Sequence, residues 1–374
     1  MDPRVGRMAK LLVNYSAQIM QGDRVLIEAE PIAEPLVRAL FEGILENGGH
    51  PHLFISLSGQ ETLTGLDDVF IAKADSSQLD HPATFYELVY KQFDARFRVH
   101  SLSNTRTLTN FDPKRMAHRK RATATVLENQ FTRGWKGEFR WVTTLFPTNA
   151  YAQEAEMSLE EYEGFVFGAC HVSDPEQDPV EHWQSVEAKQ KQLVDRFAGH
   201  DQIVVQSPTC DLTLSIKDRV FIDASGRRNM PDGEIFTGPV EESVNGWIHF
   251  NFPAVYRGVE VAGVKLRFEN GKVVEASAEK NQTFLDEMLA TDPGSRFLGE
   301  FAIGTNMGIQ KHTKNILFDE KIGGTIHMAL GAGYPMTGSK NKSAIHWDLI
   351  YDMRGESVIK LDGDLVYRDG AFLT

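Results

Sequence analysis

Cysteine is nearly missing from this chain of 374 residues, which contains only Cys170 and Cys210. Two such thiols without a CxxC spacing speak against a disulfide framework or a thiolate metal site, and fit a reducing cytoplasm. The sequons at Asn14, Asn281 and Asn341 then read as chance. Positive charge is in deficit: 39 Lys and Arg face 52 Asp and Glu, a net charge of −13. Phosphate recognition needs concentrated Lys and Arg, so a nucleic-acid partner is not expected. No apolar run approaches the roughly 20 residues needed to cross a bilayer, so no membrane partner is expected either. At the N-terminus, Met8, Leu11, Leu12, Tyr15 and Ile19 recur at helical spacing. Lys10 and Asn14 interrupt them, unlike the continuous apolar block of a signal peptide. Familiar catalytic signatures are absent too: there is no HExxH pair, GxSxG elbow or GxGxxG fingerprint. The stretch from Gly333 to Lys340 misses the phosphate-loop pattern, because Ser339 stands where that loop needs Lys.

What is present divides into two textures. In the first, strands alternate with helices: Val25-Leu26-Ile27, a helix over about 33–45, a strand from His52 to Leu57, a helix over about 82–93, and a strand near Phe97 to His100. Phe139 to Phe146 reads as another strand and Val180 to Phe197 as a long amphipathic helix. Strand–helix–strand units of these lengths imply right-handed crossovers and a mainly parallel sheet. After about residue 200 the chain turns to short strands. Val259 to Val274 alternates around Asn270-Gly271, a hairpin signal, and Asp362-Gly363 and Asp369-Gly370 mark tight turns. A helix is expected near Gln282 to Leu289. The expected architecture is an α/β domain over 1–200 and a strand-rich α+β domain over 201–374.

Charge is uneven within the first half. Residues 101–150 hold nine Lys/Arg and three Asp/Glu, concentrated at Lys114, Arg115, Arg119, Lys120 and Arg121. Residues 151–188 hold ten Asp/Glu and no Lys or Arg. These segments read as two solvated helical faces of opposite sign, with surfaces that meet as the alternative.

The chemistry-bearing residues gather in the last 140 positions. His346-Trp347-Asp348 lies in an apolar strand-like stretch, where residues i and i+2 share a face and can reach one ion. His327 sits in the apolar Thr325 to Leu330, as either a satisfied core residue or a ligand. Glu300 stands between Leu298-Gly299 and Phe301-Ala302, where a buried carboxylate needs a cation, a hydrogen-bond network or a raised pKa. Glu234, before Ile235-Phe236, is either an exposed turn residue or a further donor. Two Glu, two His and one Asp exceed the three protein ligands of a typical catalytic zinc. They suit a pair of divalent ions about 3.5–4 Å apart sharing a carboxylate. Tyr334, on a glycine-flanked loop beyond His327, is placed to donate to a developing oxyanion.

These residues carry a family resemblance over nearly the whole chain. The sequence resembles the aminopeptidase T / aminopeptidase S / PepS family of dimetal exopeptidases. The likeness lies in Gln21-Gly22-Asp23 and Val37-Arg38, in Phe165 to His171 and Asp178-Pro179-Val180, and in Asn229 to Thr237. It continues in Leu298-Gly299-Glu300, in His327 with Tyr334 seven residues on, and in His346-x-Asp348. The resemblance implies that Glu234, Glu300, His327, His346 and Asp348 are metal ligands and that Tyr334 is catalytic. It implies two divalent ions (zinc, cobalt or magnesium), peptide substrates, and a homodimer whose sites face an enclosed cavity. Glu300, in the more apolar setting, is the candidate general base as well. One departure is the segment between Tyr334 and His346, whose eleven residues are fewer than the family's longer excursion and include Lys340 and Lys342. The competing reading is a ring-cleaving dioxygenase with one ferrous iron on His327, His346 and Asp348. It would leave Glu234 and Glu300 without purpose. A binding module that has lost activity is a third reading, disfavoured because every ligand and Tyr334 are retained.

Overall fold

The computed structural model describes residues 2–109, 111–256 and 258–373. They form two compact units. One runs to His182 and takes back Gly226–Pro231; the other comprises Trp183–Ser225 and the chain from Asp232 onward.

The first unit holds a five-stranded, all-parallel sheet. Its spatial order is His50–Ile55, Arg24–Ala29, Ala95–His100, Arg140–Leu145 and Asn229–Met230. Val25, Leu26 and Ile27 are fully buried, because an interior parallel strand is covered on both faces. The Glu34–Glu46 helix buries Leu36, Val37, Leu40 and Ile44 at the spacing of one helical face, and Pro35 stands in its first turn, where no N–H is lost. Tyr86, Val89, Tyr90 and Phe93 pack with Leu26, Phe139 and Trp141 in one core cluster.

The solvated basic face expected over 114–121 is only partly present. In the Pro113–Trp135 helix, Arg119 is 3% exposed. It donates to the carbonyls of Thr62 (2.9 Å), Leu79 (3.2 Å) and His81. Arg115 donates to Ile71 O at 2.7 Å and to Ala74 O. Both guanidiniums therefore turn inward to satisfy backbone acceptors, several of them at the ends of the short helices Asp67–Lys73 and Ser76–Asp80. Charge count alone could not distinguish such arginines from solvated ones.

The second unit is built on two antiparallel sheets. The larger has eight strands in the order Lys272–Ser277, Lys265–Glu269, Asn245–His249, Cys210–Ser215, Gln202–Ser207, Val358–Leu361, Asp364–Arg368 and Ala371–Phe372. The smaller has five: His346–Asp352, Thr325–Gly331, Leu298–Gly304, Glu234–Thr237 and Ile222–Ala224. Ile203, Val205, Leu212 and Ile248 of the first sheet share one core with Phe301, Ile326, Met328 and Trp347 of the second. Asn270-Gly271 does turn the Lys265–Glu269/Lys272–Ser277 hairpin, with φ of 50° and 80°. Val259–Val261 lies outside it and pairs instead with Ala254–Tyr256.

Glu30, directly after the Arg24–Ala29 strand, is 5% exposed. Burial raises its carboxyl to about 7, helped by the Asp67 charge and partly offset by the Gly59 N–H that donates to it. The folded value lies above the ordinary 4.5, so the stability linked to this group is complete below about pH 4.5 and lost as pH rises through about 7. The urea midpoint of the wild type should therefore fall relative to that of Glu30→Gln between pH 5 and pH 8. A pH-independent difference between the two would refute this.

Candidate metal centre

The five-stranded sheet of the second unit keeps its two faces apart by strand alternation. Ile235, Phe301, Ile303, Ile326, Met328, Leu330, Trp347 and Leu349 enter the apolar core. The register sets the other face. Ala302 pairs with both Phe236 and His327, Gly304 with Glu234, Ala329 with Asp348, and Gly331 with His346. Small residues stand between the chemical ones.

Glu300 reaches this second face through a bulge. Leu298 pairs with Leu330, yet Glu300 pairs with Ala329, so the register shifts between them. Leu298 and Phe301 both lie in the core although they are three residues apart. Strict alternation would have sent Glu300 into the core with Leu298; the extra residue, Gly299, reverses the parity. No side chain fits there. A Cβ on Gly299 would lie 2.3 Å from Ala332 O and 2.5 Å from Gly331 O.

All five residues expected as ligands come together. His327 Nε2 lies 3.4 Å from Glu234 Oε2 and 3.6 Å from Glu300 Oε1. His346 Nε2 lies 3.1 Å from Glu300 Oε2 and 3.5 Å from Asp348 Oδ1. One donor atom each from Glu300, His327 and Asp348 falls within a 4.8 Å span. Glu300 thus turns one oxygen to each imidazole. Each ring is held from behind by a backbone carbonyl: Nδ1 of His327 meets Glu320 O at 2.9 Å, and Nδ1 of His346 meets Ala332 O at 2.7 Å. Carbonyls only accept, so Nδ1–H donates and Nε2 is the nitrogen presented to the carboxylates.

Electrostatics bear the strain of this crowding. Burial pushes the His327 imidazole down, but its bond to Glu300 and the charges of Glu234, Glu300 and Asp348 bring it up to about 10. His346 is likewise raised against burial by Tyr334, Asp348 and Glu300. Asp348 is lowered to about 2, because His346, His327 and Lys321 outweigh its burial. Glu300 is lowered as well, by the two imidazoles acting against burial. Glu234 is raised: burial and the charges of Glu320 and Glu300 exceed the pull of Lys321 and His327. Glu234 Oε2 and Asp348 Oδ1 are buried with no hydrogen-bond partner among the described residues. Orphaned carboxylate oxygens beside two carbonyl-anchored imidazoles form a donor set that fits divalent cations.

Tyr334 is half-buried, its ring 5.1 Å from that of His346 and 5.6 Å from that of Phe236. His346 pulls its phenol down, but burial and the charges of Glu300, Asp348 and Glu320 keep it above the ordinary range. The segment joining Tyr334 to His346 is strapped down. Asn341 Nδ2 donates to Gly294 O (2.9 Å) and Gly331 O (2.6 Å), and Asp292 accepts from Ser343 Oγ (3.0 Å) and Ala344 N (2.7 Å).

Sequence reasoning missed Glu320 and Lys321. Lys321 is wholly buried, in contact with Glu320 and 3.9 Å from Glu234 Oε1. Asp319-Glu320-Lys321 reads as a polar turn; the one local hint is the apolar flank of Phe318 and Ile322.

A family profile described as thermophilic metalloprotease (M29) matches residues 1–372. Aminopeptidase 2 of Geobacillus stearothermophilus is 27% identical, with 96% of this chain and 91% of that protein covered. Aminopeptidase T of Thermus aquaticus is 27% identical over 88% and 85%. Among solved structures, wild-type AmpT from Thermus thermophilus superimposes with a TM-score of 0.83 at 22% identity, covering 99% of each chain. 2,5-Dihydroxypyridine dioxygenase from Pseudomonas putida KT2440 gives 0.58 at 14% identity, covering 99% of this chain and 97% of that one. Both likenesses show the fold.

If the bulge sets the centre, Gly299→Ala should cost about 1–3 kcal/mol of stability and shrink the melting-temperature rise on adding Zn2+. Gly355→Ala is the control, at a position where an added Cβ would meet nothing within 4 Å. Denaturant melts check the first and thermal melts with and without Zn2+ the second, and a neutral Gly299→Ala would refute the account.

Proposed function

The chain belongs to the M29 metalloprotease family, and on that footing we propose that it is an aminopeptidase that removes the N-terminal residue of peptides. The observation that carries this reading is Glu300, whose two oxygens face two different carbonyl-anchored imidazoles. That disposition suits a carboxylate shared by two cations, which Glu234, His327, His346 and Asp348 would help to hold. We take the complement as two divalent ions per chain, drawn from zinc, cobalt or magnesium. Bound divalent ions supply Lewis acidity at this cluster.

The remaining work falls to the chain's own groups. Tyr334, held above its ordinary range, keeps its proton at neutral pH and serves as donor to the developing oxyanion. We assign Glu300 chiefly as the shared ligand: with an imidazole against each oxygen, it is poorly disposed to take a proton from water as a general base. We further propose a homodimer in the cytoplasm, a location that fits a sequence with only two cysteines. No helix among the described residues is long and apolar enough to cross a membrane.

The one-iron dioxygenase reading has His327, His346 and Asp348 in place. It finds no use for Glu234 and Glu300, which close on the same imidazoles, and the likeness to a dioxygenase is one of fold alone.

Chelated protein should release no amino acid from a peptide panel, and should recover with Zn2+, Co2+ or Mg2+ on peptides with free but not acetylated N-termini. Elemental analysis should find two ions per chain. Inactivity with every divalent metal would overturn the proposal; one oxygen-sensitive iron with ring cleavage would establish the alternative. In the active enzyme, Tyr334→Phe should lower kcat about 10²–10³-fold with metal content unchanged. A fully active Tyr334→Phe would remove the phenol from the mechanism.

A further inference from the structure

We infer that Glu320 is a positioning residue that draws the Lys321 ammonium away from Glu234, leaving Glu234 free to hold a divalent cation. The inference rests on the metal-centre reading above. Lys321 is wholly buried, and a buried ammonium needs a carboxylate partner. Two stand against it at unequal distance. Glu320 Oε1 is in hydrogen-bond contact with Nζ, whereas Glu234 Oε1 lies 3.9 Å away, beyond a hydrogen bond. The same Glu320 gives its carbonyl to His327 Nδ1 at 2.9 Å. One residue therefore orients one expected ligand through its backbone and restrains the counterion of another through its side chain.

The segment cannot easily drift. Asn306 N donates to Lys321 O at 3.1 Å, Gly323 N donates to Asn306 O at 2.9 Å, and Asn306 Nδ2 donates to Asp232 O at 2.8 Å. Just before it, the Asp319 carboxylate accepts from Thr313 N (2.7 Å) and Thr313 Oγ1 (2.9 Å). With the backbone clamped on both sides, the ammonium is kept near both Glu320 and Glu234, with the Asp232 charge acting on it as well. Removing the Glu320 charge has two effects of the same sign. The freed ammonium closes on Glu234 and competes with a cation, and one negative charge is lost from the neighbourhood of the site. Removing the lysine charge as well cancels the first effect.

The test uses chelator-stripped full-length protein titrated with Zn2+ by calorimetry, with circular dichroism melts as a check on folding. Glu320→Gln should bind Zn2+ roughly 10–100-fold more weakly than wild type. The double variant Glu320→Gln/Lys321→Met should recover most of that loss, a rescue that a merely structural Glu320 would not produce. Glu320→Asp keeps the charge with a shorter reach and should fall between Glu320→Gln and wild type, which serves if the Gln variant fails to fold. Wild-type affinity in Glu320→Gln or in Glu320→Asp, or a double variant as weak as Glu320→Gln, would overturn the inference. A wild type that binds no Zn2+ overturns the metal-centre reading itself, and this inference with it.

Discussion

Three carboxylates, Glu234, Glu300 and Asp348, share one face of one sheet while that sheet's other face is sealed into an apolar core. Such a concentration of buried negative charge is unfavourable unless positive charge is brought to it. Within the chain His327, His346 and Lys321 bring it, and the detail of the region follows from arranging them. Backbone carbonyls fix the imidazoles, a bulge turns Glu300 to the correct face, and small residues stand opposite the chemical ones. The carboxylates, joined by Tyr334 at His346, raise both imidazoles against burial and so favour protons on Nε2. To act as ligands the imidazoles give those protons up, so proton release and metal occupancy are linked.

The first unit meets the same constraint differently. Glu28 is fully buried there, yet Arg96 and Arg98 approach it at 3.3 and 3.0 Å, and Arg96 is held in turn by Gln130 at 3.1 Å and by Tyr90. The two guanidiniums lower its carboxyl despite burial. That carboxylate is internally neutralised and has nothing left to offer. At the sheet face of the second unit, Glu234 Oε2 and Asp348 Oδ1 find no hydrogen-bond donor among the described residues. The contrast between a saturated buried carboxylate and an orphaned one separates structural charge from ligating charge more clearly than burial does.

Much of this was legible in the sequence, and what was not has a physical reason. The alternation in His346-Trp347-Asp348 announces a strand with Trp347 inward and its neighbours outward, and Trp347 is buried in the core. His327 was ambiguous between core and ligand because every neighbour is apolar; only the register, which sets it opposite Ala302 on the outward face, resolves it. Glu234 read equally well as an exposed turn residue, yet it is 6% exposed. The Gly299 bulge leaves no local mark, since an extra residue is visible only against a partner strand. Lys321 and Arg119 look like surface charges and are not: Lys321 is buried against its neighbour Glu320 with Glu234 3.9 Å away, and Arg119 turns to the carbonyls of Thr62, Leu79 and His81, distant in the chain. Family resemblance joined residues that periodicity could only nominate singly.

The short segment between Tyr334 and His346 gains a meaning that its length alone did not suggest. Ala332 O anchors the His346 ring, and Tyr334 follows only two residues later. Thr337 then closes back on Tyr334 O through its N–H (3.0 Å) and its hydroxyl (2.7 Å). Gly331 opens this turn at φ 104°, where a Cβ would meet Ile345 O at 2.3 Å, so the return strand runs directly against it. One tight turn therefore orients an imidazole and a phenol together. A longer excursion could move the phenol independently of the ring; here they are mechanically coupled, and whatever displaces the turn disturbs both groups at once.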